Sequence, residues 1–194
     1  MSYQLTYTTD LRWAQSALAN LGILLNDHAL LEKKAAVVAI DMMKYFPKSP
    51  KTLCRLSKLA REEMRHFELV TQFVEQNSYD QIQMKPVSYM RNLFSLVDSA
   101  NRTQALRDRL LIASIIEARA HERFDCLIPL LNGKLAAFYT KLSHAEKRHQ
   151  DIYFTLCLEL VGESKTLDRL SELLDEERRI LLATQDRFGF FSCV

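Results

Sequence analysis

The tetrapeptide Glu-x-Arg-His occurs twice in this chain, as Glu63-Met64-Arg65-His66 and as Glu146-Lys147-Arg148-His149, each within a segment built from strong helix formers. On a helix, an i, i+3 spacing puts the carboxylate and the imidazole on one face, one turn apart. A single copy says little, because such a pair also arises on an ordinary solvated face. Two copies say more, because each follows a further glutamate by nearly the same interval. The separation of Glu32 from Glu63 is almost that of Glu117 from Glu146.

The intervals are those of two helical hairpins. Glu32 and Glu63 flank position 48 almost symmetrically, and Glu117 and Glu146 flank Asn132 in the same way, each pair off balance by a single position. Residues equidistant from the turn of an antiparallel hairpin share a height, and a mismatch of one position amounts to about 1.5 Å. Each hairpin therefore gathers Glu, Glu and His at one level. Docked face to face, the two hairpins would bring together four carboxylates and two imidazoles. This is the ligand inventory of di-iron and di-manganese carboxylate bundles, one Glu from each of two helices and Glu-x-x-His from each of the other two. Four carboxylates balance two divalent cations; without metal they would repel one another and their pKa values would rise. The expected metal ligands are Glu32, Glu63, His66, Glu117, Glu146 and His149. The alternative is a polar, wet bundle core. Carboxylate and imidazole donors suit two iron ions, with manganese as the other choice, and the lack of thiolates argues against structural zinc.

The rest of the chain fits an all-α, ferritin-like four-helix bundle, two helical hairpins joined by a long crossover, with flanking helices. With 194 residues, 48% hydrophobic and 26% charged, a single domain spanning 1–194 is expected. Only four Gly and four Pro leave room for long helices and few turns. Residues 1–10 read as an extended lead. A helical pattern starts at about Leu11, with a break expected near Gly22 or Asn26, and then runs from Asp27 to Phe46. Pro47, Ser49 and Pro50 stop it, and Ser49-Pro50 starts the next helix, with Ser as N-cap and Pro at the first helical position, running to about Asn77. Residues 78–100 read as the crossover, with a short helix after Pro86. A third long helix spans about Arg102 to Ile128 and stops at Pro129. After an Asn132-Gly133 turn, a fourth runs from about Lys134 to Val161 with Gly162 as its C-cap, and a fifth from about Lys165 to Asp186.

Charge and cysteines exclude little. The net charge of +2 neither demands nor forbids a nucleic-acid partner. Cys54, Cys126, Cys157 and Cys193 form no CxxC pair and read as free thiols in a reducing cytoplasm. The first residues lack a charged segment followed by an apolar one, so no signal peptide is expected, and no apolar run is long enough to span a membrane.

The residues around the ligands carry a resemblance. Asp27-His28, Glu32-Lys33-Lys34-Ala35-Ala36, Leu59-Ala60-Arg61-Glu62-Glu63-Met64-Arg65-His66-Phe67-Glu68, Ile116-Glu117-Ala118-Arg119 and Glu122-Arg123-Phe124 resemble the MiaE family over about Leu11 to Leu160. These are non-haem di-iron tRNA hydroxylases acting on 2-methylthio-N6-isopentenyladenosine. The resemblance implies an O2-dependent monooxygenase that inserts one oxygen atom into an allylic C–H of the isopentenyl group, on the adenosine beside the tRNA anticodon. It implies Glu32 and Glu117 as carboxylates mainly serving one iron each, Glu63 and Glu146 as bridging candidates, and His66 and His149 as one imidazole per iron. The electrons come from a separate donor protein, since the chain has no flavin, nicotinamide or Fe–S motif. The competing reading is another ferritin-like di-metal protein for iron oxidation and storage or for peroxide scavenging, although the CxxC modules that usually accompany scavengers are lacking. A non-enzymatic helical bundle fits the six-ligand coincidence least.

Four further features are open at this level. His28, one turn before Glu32, either orients that carboxylate or is a polar residue at a helix start. His121, one turn beyond Glu117, is an outer-layer imidazole or a seventh ligand, and His144 reads as a surface residue. Ala35, Ala36 and Ala39 either leave room for an isopentenyl tail or allow close helix packing. Lys51, Arg55, Lys58 and Arg65, with Arg61 at the margin and Lys44 and Lys48 upstream, form a basic stripe that suits phosphate or is an ordinary solvated face.

Overall fold

The structure, a computed structural model, describes residues 3–185 and 187–193. Its regular elements are α1 (Leu11–Ala19), α2 (Leu21–Met42), α3 (Pro50–Gln76), α4 (Tyr89–Phe94), α5 (Arg102–Leu127), α6 (Gly133–Val161) and α7 (Glu163–Ala183), with short 3-10 turns at Met43–Tyr45 and Ile128–Leu130. No strand occurs among the described residues. The all-α expectation holds, and both hairpins form as the spacing requires, α2 packing on α3 and α5 on α6.

The helix boundaries differ in instructive places. The first break falls at Asn20, before Gly22 and Asn26, and both of those residues lie inside α2. Gly22 is needed there for a close approach: a Cβ at this position would stand 3.1 Å from Tyr79 Cδ1. Asn26 ties down the crossover, its Nδ2 donating to the Gly22 and Asp80 carbonyls and its Oδ1 accepting from Ile82 N. The α2 helix gives way to a 3-10 turn at Met43, well before Pro47. Pro50 opens α3 as expected, but the Ser49 hydroxyl does not cap it and bonds Thr52 Oγ1 instead. Asn101 supplies the side-chain cap that Ser49 does not, accepting from Thr103 N and Gln104 N at the start of α5. Gly162, at φ +81°, turns α6 directly into α7, so α7 begins at Glu163, just before the expected Lys165. It ends at Ala183; Asp186, its expected end, lies outside the described residues.

The chain divides into two compact units. One holds α2, α3, the crossover to Pro86 and the short piece Phe188–Phe190. In it, α3 buries Thr52, Leu56, Leu59, Ala60, Glu63, His66, Val70 and Val74, a stripe at three- and four-residue steps. The other unit holds the N-terminal lead, α1, α4 to α7 and the last residues from Phe191. Its centre is α5, buried continuously from Leu110 to Ala120, against which α6 and α7 pack. In both units the Glu-x-x-His pair lies within the apolar stripe. Burying a Leu in such a position contributes roughly 1.5–3 kcal/mol, whereas an ionised Glu there is costly unless something offsets its charge.

Candidate metal centre

In the α2/α3 unit, Glu32 comes from the middle of α2 and Glu63 and His66 from the middle of α3. All three are buried, Glu63 completely. His66 Nδ1 lies 3.3 Å from Glu63 Oε2 and 3.5 Å from Glu32 Oε2. One donor atom from each of the three lies within 4.8 Å of the others. In the α5/α6 unit, Glu117, Glu146 and His149 repeat the pattern. All three are buried, His149 completely, with His149 Nδ1 3.7 Å from Glu146 Oε2 and the three donors again within 4.8 Å of one another.

These clusters fit a metal ion. Two donors about 2.1 Å from a common ion stand roughly 3–4 Å apart, and the observed 3.3 to 3.7 Å separations fall in that range. Each cluster offers two carboxylates and one imidazole and no thiolate, the hard and borderline donors that suit iron or manganese.

A second layer orients the first cluster. His28 Nε2 lies 2.5 Å from Glu32 Oε1, both residues being buried. This hydrogen bond fixes the rotamer of Glu32. His28 is held in turn by Phe190, whose ring stacks on it at 5.4 Å and 19°. The Phe190 amide donates to buried Asp27 Oδ2 at 2.7 Å. The orienting role for His28 is thus the one the structure supports, and the C-terminal residues that support it could not be found from local sequence.

The helix bearing Glu117 is fixed differently. Just beyond it, Arg119 is fully buried and makes a two-pronged ion pair with Glu177 of α7, Nε to Oε1 at 2.8 Å and Nη2 to Oε2 at 3.0 Å. Tyr89 Oη donates to the same Glu177 Oε1, and Arg119 Nη1 reaches the Tyr7 carbonyl and Glu122. Burial works against the guanidinium charge, but Glu177 more than offsets it and holds the Arg119 pKa above its ordinary range.

The remaining candidates sort as follows. His121 is half-buried and engaged elsewhere, its Nδ1 2.7 Å from Ser143 Oγ and its Nε2 3.6 Å from Asp125 Oδ2, so it stands with these polar groups rather than with the donor cluster. His144 is exposed. Ala36 and Ala39 are fully packed in the hairpin, which supports the close-packing role. The four cysteines are free. No helix among the described residues is long and apolar enough to cross a membrane.

An all-helical chain that buries a Glu, Glu, His cluster in each of two hairpins is a metal-binding protein of the ferritin-like class. A solved structure of this class, Protein 43 with aldehyde deformylating oxygenase activity from Synechococcus, matches with a TM-score of 0.92 and 30% identity, covering 99% of this chain and 97% of that one. The family model for tRNA-(MS[2]IO[6]A)-hydroxylase (MiaE) matches residues 2–192, and the chain belongs to that family of enzymes. Among similar proteins is the tRNA 2-(methylsulfanyl)-N(6)-isopentenyladenosine(37) hydroxylase of Pseudomonas putida, 33% identical over 90% of this chain and 84% of its own length. The protein of the same description from Salmonella typhimurium is 28% identical over 72% of this chain and 51% of its own length.

Proposed function

We propose that this chain hydroxylates the isopentenyl group of 2-methylthio-N6-isopentenyladenosine beside the tRNA anticodon, and that Glu32, Glu63, His66, Glu117, Glu146 and His149 together hold two iron ions as one centre. The observation that carries the reading is the duplicated buried Glu, Glu, His cluster in a chain of this family. The sequence registers of the two hairpins support joining the clusters into a single site, as does the balance of four carboxylates against two divalent cations. Bound iron would supply O2 reduction and C–H oxidation, chemistry no side chain performs.

The residues have distinct tasks in this reading. Glu63 and Glu146, one from each Glu-x-x-His pair, would be the bridging candidates. Glu32 and Glu117 would each mainly serve one iron, and His66 and His149 would give one imidazole per iron. His28 keeps Glu32 aimed through their hydrogen bond. Electrons come from a separate donor protein, and we place the activity in the cytoplasm. Because no duplex must melt to expose a loop base, the modified adenosine can leave its stack at modest cost.

The test is nucleoside analysis of tRNA from cells lacking the protein and cells in which it is restored, beside metal analysis of the purified chain. Restoration should convert the isopentenyl nucleoside to its hydroxylated form, and the chain should carry about two irons. Glu63→Ala and His149→Ala should each lose metal and abolish conversion; retained activity in either would overturn the ligand set. The Synechococcus neighbour supplies a second reading, oxygen chemistry on an aldehyde. Turnover of an aldehyde with tRNA left unmodified would favour it.

A further inference from the structure

We propose that the tip of the α2/α3 hairpin is the tRNA-docking surface of this enzyme. The proposal deepens the function above and rests on it. Between Lys33 and Arg61 the chain carries eight cations, Lys33, Lys34, Lys44, Lys48, Lys51, Arg55, Lys58 and Arg61, against one carboxylate, Asp41. That short stretch is a net +7 in a chain whose total is +2, so the rest of the molecule carries −5. The positive charge belongs to one place, the turn and flanking helices of a single hairpin, within one compact unit.

The structure turns this charge outward. Lys33, Lys44, Lys48, Lys51, Lys58 and Arg61 are exposed, and Arg55 is half-buried. Lys44 pairs with Asp41 at 3.3 Å, but Lys51, Lys58 and Arg61 make no ion pair among the described residues. On α3, Lys51, Arg55 and Lys58 recur at four- and three-residue steps, and Arg65, which pairs with Glu68 at 3.0 Å, continues the same stripe to a length of about 21 Å. On α2, the other helix of the hairpin, two large apolar side chains, Val37 and Ile40, are exposed to 57% and 55%. A predominantly basic face with exposed apolar side chains on the same hairpin suits a nucleic-acid strand, whose phosphates take the cations and whose sugars and bases meet the apolar groups.

An acidic protein such as an electron donor is the other partner a basic face can take. The composition favours RNA: six of the eight cations are lysines, a residue depleted at protein–protein interfaces and effective as a point charge against phosphate. Position favours it too. The stripe lies on the helix that carries Glu63 and His66, with Lys58 and Lys51 preceding Glu63 by about 7.5 and 18 Å along the axis. Phosphates anchored there hold the anticodon loop at the level of the ligands.

The test compares the metal-loaded full chain with Lys51→Glu/Lys58→Glu/Arg61→Glu, using tRNA isolated from cells lacking the protein, O2 and a small-molecule reductant. The triple variant should raise KM for tRNA at least tenfold while kcat stays within twofold. The slope of log affinity against log salt should flatten by about 2, since each lost contact to a single strand removes roughly 0.7. The milder Lys51→Gln/Lys58→Gln/Arg61→Gln should shift both in the same direction. Lys134→Glu/Lys141→Glu, on the exposed face of α6, should change neither. Bound tRNA should also slow maleimide labelling of exposed Cys54 more than of Cys126. Unchanged KM and salt slope in the triple variant would overturn the surface while leaving the function intact, and so would an equal loss in the α6 control. A defect seen only when a donor protein replaces the chemical reductant would assign the face to that donor and also overturn the proposal. Failure of the wild-type chain to modify any tRNA would remove the function itself.

Discussion

Replacing Glu177 by leucine isolates one fully buried charge pair outside the ligand clusters. Arg119 and Glu177 are both fully buried, with paired contacts at 2.8 and 3.0 Å, and Tyr89 donates to the same carboxylate at 2.8 Å. Removing the carboxylate strands a guanidinium in the core and leaves the tyrosine hydroxyl without this acceptor. Breaking a buried pair from one side costs about 3–5 kcal/mol. Arg119 keeps the Tyr7 carbonyl and Glu122, which places the expected loss near the lower end, about 3 kcal/mol. At about 2–4 °C per kcal/mol for a chain of this size, Tm should fall by roughly 10 °C. The double variant Arg119→Met/Glu177→Leu should recover much of that loss, because two apolar side chains of similar volume need no desolvation. Urea denaturation of the wild type, both single variants and the double variant gives the coupling energy directly. A single-variant cost below about 1 kcal/mol, or a double variant as unstable as the sum of the singles, would refute the claim that paired charge organises this part of α5.

Three further outcomes are expected. His28→Ala should weaken metal binding by about 10- to 100-fold with helical content intact, the usual effect of losing a group that orients a ligand; isothermal titration with ferrous iron under anaerobic conditions decides it, and unchanged affinity would return His28 to a packing role. Asn101→Ala should cost about 1 kcal/mol, since its carbonyl oxygen accepts from two backbone amides of α5, whereas Ser49→Ala should cost much less, its hydroxyl making no cap; equal losses in urea melts would contradict the assignment. Asp108 titrates below the ordinary carboxylate range, because burial, which pushes it up, is outweighed by hydrogen bonds from Arg169, the Asp98 amide and Arg107. Its stabilisation is therefore complete above the unfolded value of about 3.9 and is lost as pH falls through the lower folded value. Asp108→Asn should destabilise at neutral pH and flatten the decline below about pH 4, and an unchanged acid limb in the pH–stability curve would count against it.

The hairpins were legible because helix periodicity and chain breakers are local signals. Neither Pro47 nor Pro50 can lie in a helix interior, although Pro50 can open one, and the stripe Leu56, Leu59, Glu63, His66, Val70 shows its spacing without coordinates. The duplicated Glu-x-x-His was legible because two such stripes place a charge where an apolar residue belongs. Gly22 departs from its local signal for an equally physical reason. Glycine weakens helices, so it signals a break, but here the side chain it lacks makes room for the ring of Tyr79, which lies beyond the whole of α3. A tertiary contact overrode the local preference. Arg119 and Glu177 are likewise far apart in the chain, and no periodicity on α5 or α7 selects one as partner of the other.

His28 shows most sharply where local reading stops. The i, i+4 relation to Glu32 was visible, but the same spacing describes an orienting hydrogen bond and a solvated helix start equally well. What separates them is burial, and the C-terminal segment contributes to it by laying Phe190 over the ring and anchoring its own amide on Asp27. A carboxylate that accepts from a buried imidazole is held ready for an ion. The same carboxylate beside a mobile, hydrated histidine would keep its rotamer freedom, and metal binding would have to oppose that entropy. The last residues of the chain, which contribute little to the recognisable motifs, therefore act on the proposed centre through packing. Their effect should appear as metal affinity and not as a changed ligand set, which explains why motif spacing revealed the ligands and missed what orients them.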